Sequence, residues 1–309
     1  MLGPSRKTRS ILVTLILLTA LFFRTYQIGF LSYLNLVAVL GGVLGVWGIY
    51  LLTKELFNWP EAVLAGFLMS FSSWHSSVSR VESWEVWAPT LFTFGLLFLW
   101  RGLKGKHSCN FFFSGLLWGL GFYASSSFWL YAVIALIGLL TYLHMLKKDF
   151  GNKDYKNSRD FIFRGLVLLI TTFFIILLPK LLFNFSINKE VVVNLPPLSL
   201  PMAVLVVAGL FRSLIKLFKH WKSHRHFSAI QAILIAWFFI GFYSLNATIV
   251  LPAIFILAGE SCWWFFTWLK NWYGMRDKHL HEASLVATLT LIIFMISLGF
   301  IEFKELFVK

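Results

Sequence analysis

Apolar runs approaching twenty residues recur along the whole of this 309-residue sequence, and most of its charge falls between them. A helix needs about 20 apolar residues to cross the roughly 30 Å hydrocarbon layer of a bilayer. Helices and closed barrels alone satisfy their own backbone groups there. Eleven such runs are readable, in Ile11 to Phe23, Phe30 to Leu52, Ala62 to Ser76, Val86 to Trp100, Asn110 to Tyr123, Ser127 to Met145, Gly165 to Phe183, Leu200 to Leu217, Ala229 to Tyr243, Thr248 to Leu269 and Ser284 to Ile301. The predicted fold is therefore all-α, a polytopic transmembrane helical bundle of about 11 spans forming a single domain over 1–309. With 59% hydrophobic and 13% charged residues, the composition is outside the soluble range and supports that class.

A net charge of +14 raises the question of a nucleic-acid partner, and the placement of the charges excludes it. With eleven spans and a cytoplasmic amino terminus, 21 of the 27 Lys and Arg fall on the inner side. That is the positive-inside pattern, which reports orientation and contact with anionic membrane lipids. The expected location is a multi-pass protein of the plasma (inner) membrane with its amino terminus cytoplasmic. Ile11 to Phe23 is short enough to imitate a signal peptide, but Arg24-Thr25-Tyr26-Gln27 is no small-residue cleavage site, so it reads as the first span. Cys109 and Cys262 offer neither a disulfide framework nor a metal-ligand spacing. Lys147 to Arg164 and Lys216 to His226 read as solvated basic linkers. The histidines of the second are interleaved with Lys and Arg that repel a metal ion.

Chemistry concentrates in Phe71 to Glu85, FSSWHSSVSRVESWE, between the third and fourth runs. Arg80 can hold a phosphate or carboxylate bidentately, or anchor the span end by snorkelling to headgroups. Glu82 and Glu85, three apart, share a helix face, where they serve either as general base and cation ligands or as a salt bridge to Arg80 with a helix-start role. His75 reads as a polar group at the interface. Glu260 falls inside a span, where an acid is costly and suggests function, although it lies near enough to the inner side to pair with a Lys. The aromatic clusters at Trp263 to Trp268, and Trp118, Trp129 and Trp237, read as interfacial belts and span packing. Asn184-Phe-Ser and Asn246-Ala-Thr match the glycosylation triplet at a length that chance supplies.

A series of landmarks in order, RTYQIG, LGGVLGVWGIYLLTKELF, AVLAGFLMSFSSWHSSVSRVESWE and GLLWGLGFYASSSFWLY, with weaker echoes in Pro179 ending the seventh span and in ATIVLPAIFILAG, resembles the GT-C superfamily. The likeness is to the branch holding dolichyl-phosphate-mannose protein mannosyltransferases and lipid A sugar transferases. It implies transfer of a sugar from a polyprenyl-phosphate carrier at the outer membrane face, with a partner membrane protein as a further possible contact. It also implies an acidic base in the first outer loop and a basic residue on the lipid phosphate. Some members use a divalent metal, so the cofactor is left open. Carried onto this chain, the resemblance puts Arg80 on the lipid phosphate and Glu82 or Glu85 in the catalytic role; His75, Arg24 and Tyr123 are further substrate-binding candidates. The departure is in the first outer loop, because Arg24 to Leu36 holds no Asp or Glu. Glu82, Glu85 and Glu190 are the outer-face acids this reading offers instead. The alternative is a catalytically degenerate member that binds a lipid-linked substrate or a partner protein, with a transporter third.

Overall fold

The computed structural model describes residues 5–26, 33–80, 84–105, 107–149, 152–183, 198–220, 225–244, 247–276 and 280–307. Twelve α-helices run through them: α1 Arg6–Thr25, α2 Tyr33–Leu56, α3 Trp59–Phe71, α4 Ser73–Arg80, α5 Trp87–Gly105, α6 Ser108–Ala124, α7 Trp129–Asp149, α8 Asn152–Phe183, α9 Leu200–His220, α10 Arg225–Tyr243, α11 Ala247–Arg276 and α12 Leu280–Phe307. Single turns of 3-10 helix precede α5 (Trp84–Val86) and α7 (Ser126–Phe128). Each of the eleven apolar runs overlaps one or two of these helices, and eight candidate spans among the described residues are long and apolar enough to cross a membrane. The exposed faces say what surrounds them: Ile293, Ile296 and Phe300 of α12 are 63%, 68% and 70% exposed. Such a continuous apolar surface requires lipid around it, so the protein is an integral membrane protein.

Three expectations are corrected. The third run is not one span, because the helix breaks at Ser72 (φ −60°, ψ 127°) and restarts as α4. The Ser73 N–H leaves the helical ladder there and donates to Glu302 of α12 (2.7 Å). The two basic linkers are largely helical: α7 reaches Asp149 before α8 starts at Asn152, and α9 reaches His220. A helix pairs its own backbone and does not stop where the hydrocarbon does. Finally, Pro179 does not end the seventh span but lies inside α8, which continues to Phe183.

Close approach of helices rests on small residues. Gly115 and Gly119, four apart on α6, face α8; a Cβ on Gly115 would stand 2.3 Å from the Leu169 carbonyl oxygen. This is the small-xxx-small packing that lets two membrane helices touch backbone to backbone. The centre is an aromatic box around Phe92, with ring centroids 4.5 Å from Tyr131, 4.8 Å from Trp237 and 5.8 Å from Trp118. Trp118 and Trp237 thus serve packing, whereas Trp129, Trp264 and Trp268 are exposed. The Trp237 indole donates to the Ile249 carbonyl (2.7 Å) and the Tyr131 hydroxyl to that of Thr248 (3.1 Å), so both polar tips are paired inside the core.

Side-chain bonds fix which helix ends meet. These bonds join the ends of α1, α3, α4 and α12 with the start of α9, the end of α6 with α8, and the starts of α7 and α11, while the start of α5 shares a cleft with α6 and α8. At the opposite end of α5, Glu55 of α2 pairs with Arg101 (3.5 Å) and Lys104 (3.6 Å).

Candidate functional site

The short helix α4 presents two faces, as its 3.6-residue period dictates. One carries His75 and Ser79 against α1 and α2. Arg24, at the end of α1, is completely buried; it donates to the carbonyls of Ala20 (2.7 Å) and Ser70 (3.1 Å) and to His75 Nδ1. An imidazole that accepts at Nδ1 is neutral and carries its proton on Nε2. Gly42 of α2 closes this seam, since a Cβ there would fall 2.3 Å from Ser79 Oγ and 2.7 Å from Arg24 Nε. His75, expected at the interface, is instead buried, because the break at Ser72 turns it inward onto Arg24. The Arg24–His75 pair reaches no surface and can act only by holding α4 to α1.

Ser73 and Arg80 lie seven positions apart, two turns along the other face of α4. Arg80 is half-buried: one guanidinium nitrogen donates to the Tyr26 carbonyl (3.0 Å), and the group lies 4.9 Å from the Phe307 ring centroid. Partial burial pushes it below the ordinary arginine value, but a guanidinium keeps its charge. Its remaining N–H donors form no bond among the described residues. That suits an incoming phosphate, which accepts from a planar fork of donors.

A few residues further on lies an apolar cleft of about 540 Å³, lined by Trp84, Trp87 and Leu91 with Leu120, Tyr123, Ala124 and Ile176. The chain between limits the separation, because four residues span at most about 14 Å and Arg80 is four from Trp84. Glu85 is half-buried on the same 3-10 turn as Trp84. Tyr123 gives the cleft its ring, while its hydroxyl donates to the Ile176 carbonyl (2.8 Å) and accepts from the Lys180 N–H (3.1 Å). Lys180 Nζ bonds the Phe122 carbonyl and sits 5.7 Å from the Tyr123 ring centroid. Thus Arg80, His75 and Arg24 share one corner, and Glu85 and Tyr123 flank the neighbouring cleft. Glu82 and Glu190 lie outside the described residues.

Two participants were not read from the sequence. Lys180 follows Pro179 near the end of α8, and Glu302 lies in the last two turns of α12 with both carboxylate oxygens bonded, to Ser73 N (2.7 Å) and to the Ser199 hydroxyl. The signal for the second was available in Glu302-x-x-Glu305, a carboxylate pair at helical spacing closing an apolar run. Glu260, by contrast, is neutralised in place: Lys216 bonds it, Arg212 approaches to 3.4 Å and Ser213 to 3.4 Å. Among the described residues, no three His, Cys, Asp or Glu side chains gather as metal ligands.

Residues 17–183, from within α1 to the end of α8, match the family described as dolichyl-phosphate-mannose-protein mannosyltransferase. The chain belongs to that family. As a member it is a GT-C membrane glycosyltransferase homologue, and the fold agrees. The oligosaccharyltransferase of Archaeoglobus fulgidus in its apo form superposes with a TM-score of 0.57 at 15% identity, over 87% of this chain and 44% of that one. Its complex with Zn and sulfate gives 0.58 at 15% identity, over 88% and 41%. ArnT from Cupriavidus metallidurans bound to undecaprenyl phosphate aligns at 14% identity over 95% and 61%, with a TM-score of 0.48. The chain thus spans less than half of the archaeal enzyme it resembles in fold. No curated protein matches this family member in sequence.

Proposed function

We propose that this chain transfers a sugar from a polyprenyl-phosphate donor to an acceptor hydroxyl at the outer membrane face. The observation that carries the reading is Arg80, a charged fork whose remaining donors form no bond among the described residues, placed four positions before Trp84 of a 540 Å³ apolar cleft, so that the two Cα atoms stand at most about 14 Å apart. A polyprenyl phosphate is an apolar chain ending in an anion, and such a pairing complements it. The concentration of 21 of 27 cationic side chains toward the other end of the helices supports the outer face for this site.

In the proposed step, Glu85 takes the proton of the acceptor hydroxyl as its oxygen attacks the anomeric carbon. The bond from that carbon to the phosphate oxygen breaks, and polyprenyl phosphate leaves with its developing charge held by Arg80. Arg24 and His75 hold α4, and Tyr123 forms the cleft wall. The test is transfer from polyprenyl-phosphate sugars by the purified protein. Arg80→Ala is expected to lower kcat/KM by about 100-fold, in the range for loss of one charged donor to the leaving group. Normal turnover in an Arg80→Ala, Glu82→Ala, Glu85→Ala triple variant would sink the proposal. Donor binding without turnover in the wild type would instead identify a binding homologue, consistent with the absence of Asp or Glu from Arg24 to Leu36.

A further inference from the structure

We infer that Glu302 of α12 is a positioning residue for the Arg80 phosphate site, holding α4 in place from a helix outside the family-matched half of the chain. The inference rests on the reading of Arg80 above.

Helix α4 has only eight residues, too few to hold itself by its own backbone bonds. Its first N–H groups also lack intrahelical partners. One of them, Ser73 N–H, donates to Glu302 Oε2 at 2.7 Å. A carboxylate at that point also faces the positive end of the helix dipole. The second oxygen of Glu302 accepts from the hydroxyl of Ser199, at the start of α9, and the residue is 1% exposed. Glu302 therefore cannot touch a substrate and acts only through the helices it joins.

The same stretch of α12 grips the other end of α4. Phe307, five residues after Glu302, carries the ring beneath the Arg80 guanidinium, and it packs 4.9 Å from Tyr26, whose carbonyl accepts the Arg80 bond. Phe303 adds a second ring contact to Tyr26 at 5.6 Å. Ser73 and Arg80 are separated by about 10 Å of helical rise and Glu302 and Phe307 by about 7 Å, so the two helices can meet at both points. One end of the grip is ionic and directional, and the other is aromatic. Together they fix both where α4 lies and where Arg80 points.

The test uses the full chain in nanodiscs, a polyprenyl-phosphate sugar as donor, and Arg80→Ala measured in parallel. Glu302→Ala is expected to raise the donor KM about tenfold with kcat within about twofold, the scale of one lost hydrogen bond to a charged group. Glu302→Gln keeps an oxygen for Ser73 N–H and is expected within about threefold of wild type. Binding of a C55 polyprenyl phosphate, followed by native mass spectrometry, should weaken in the same order. If Glu302→Ala does not fold, Phe307→Leu, which removes the ring at the far grip point, must give the same KM-selective loss. An unchanged KM in Glu302→Ala, or a loss of kcat shared equally by the Ala and Gln variants, overturns the positioning role. Arg80→Ala without effect would instead overturn the phosphate reading itself.

Discussion

Tyr123→Phe tests how α8 survives a proline near its carboxyl-terminal end. Pro179 lacks an N–H and its ring crowds the carbonyl four residues back, so a regular ladder is disturbed around it. The next residue, Lys180, sends its N–H to the Tyr123 hydroxyl (3.1 Å), and that hydroxyl donates to Ile176 (2.8 Å), the carbonyl four residues before Lys180. A side chain of α6 has thus entered the ladder of α8 and bridges a donor to its regular acceptor. Removing one oxygen deletes both bonds. At about 0.5–1.5 kcal/mol each, the loss should come to about 1–3 kcal/mol. The discriminating background is Pro179→Ala, in which Lys180 can bond Ile176 directly. There Tyr123→Phe should cost less than about 1 kcal/mol, giving a coupling of about 1–2 kcal/mol in a double-mutant cycle. Unfolding by SDS titration in mixed micelles measures all four proteins. An equal cost in both backgrounds would refute the bridging role.

Two further outcomes follow from geometry. Gly115→Ala puts a methyl 2.3 Å from the Leu169 carbonyl oxygen, so α6 and α8 must part, at a cost of about 1–3 kcal/mol in the same titration. Wild-type stability in that variant would mean the two backbones do not touch. Glu260→Ala leaves Arg212 and Lys216 facing each other without their acid. Their residual exposure of 27% and 19% puts the loss near about 3 kcal/mol, the low end for a broken buried pair. Folded Glu260→Ala should still transfer sugar at the wild-type rate. A selective loss of turnover would show that this acid belongs to the chemistry.

The helical class was legible because a span is written in one local signal, about twenty apolar residues, and that signal is not ambiguous in lipid. The break at Ser72 was not, since serines are compatible with both a continuous and an interrupted helix. The acceptor that takes the first N–H of the restarted helix, Glu302, lies 229 positions away and leaves no local mark. The corner around Arg80 was half legible. FSSWHSSVSRVESWE marked the local cluster, but Phe307 and Tyr26 come from distant helices, and no periodicity reports a partner in space. His75 was misplaced for the same reason: its burial depends on Arg24, 51 positions earlier. Glu260 was placed correctly inside a span, and its cations were visible only as the polar stripe of α9, Arg212, Ser213 and Lys216.

The bond from Ser73 to Glu302 closes over 229 positions, which makes the Arg80 corner a matter of timing as well as geometry. At roughly 5–20 residues per second, synthesis separates the two partners by about 10–45 s. Once α8 has been made, α1 to α8 can be threaded into the bilayer with α4 held to α1 but not yet to α12. A ribosome-bound chain stalled before α12 would therefore carry the cleft without the Glu302 and Phe307 contacts to α4 and Arg80, and the proposed lipid-phosphate site would be completed only when α12 arrives from the insertion machinery.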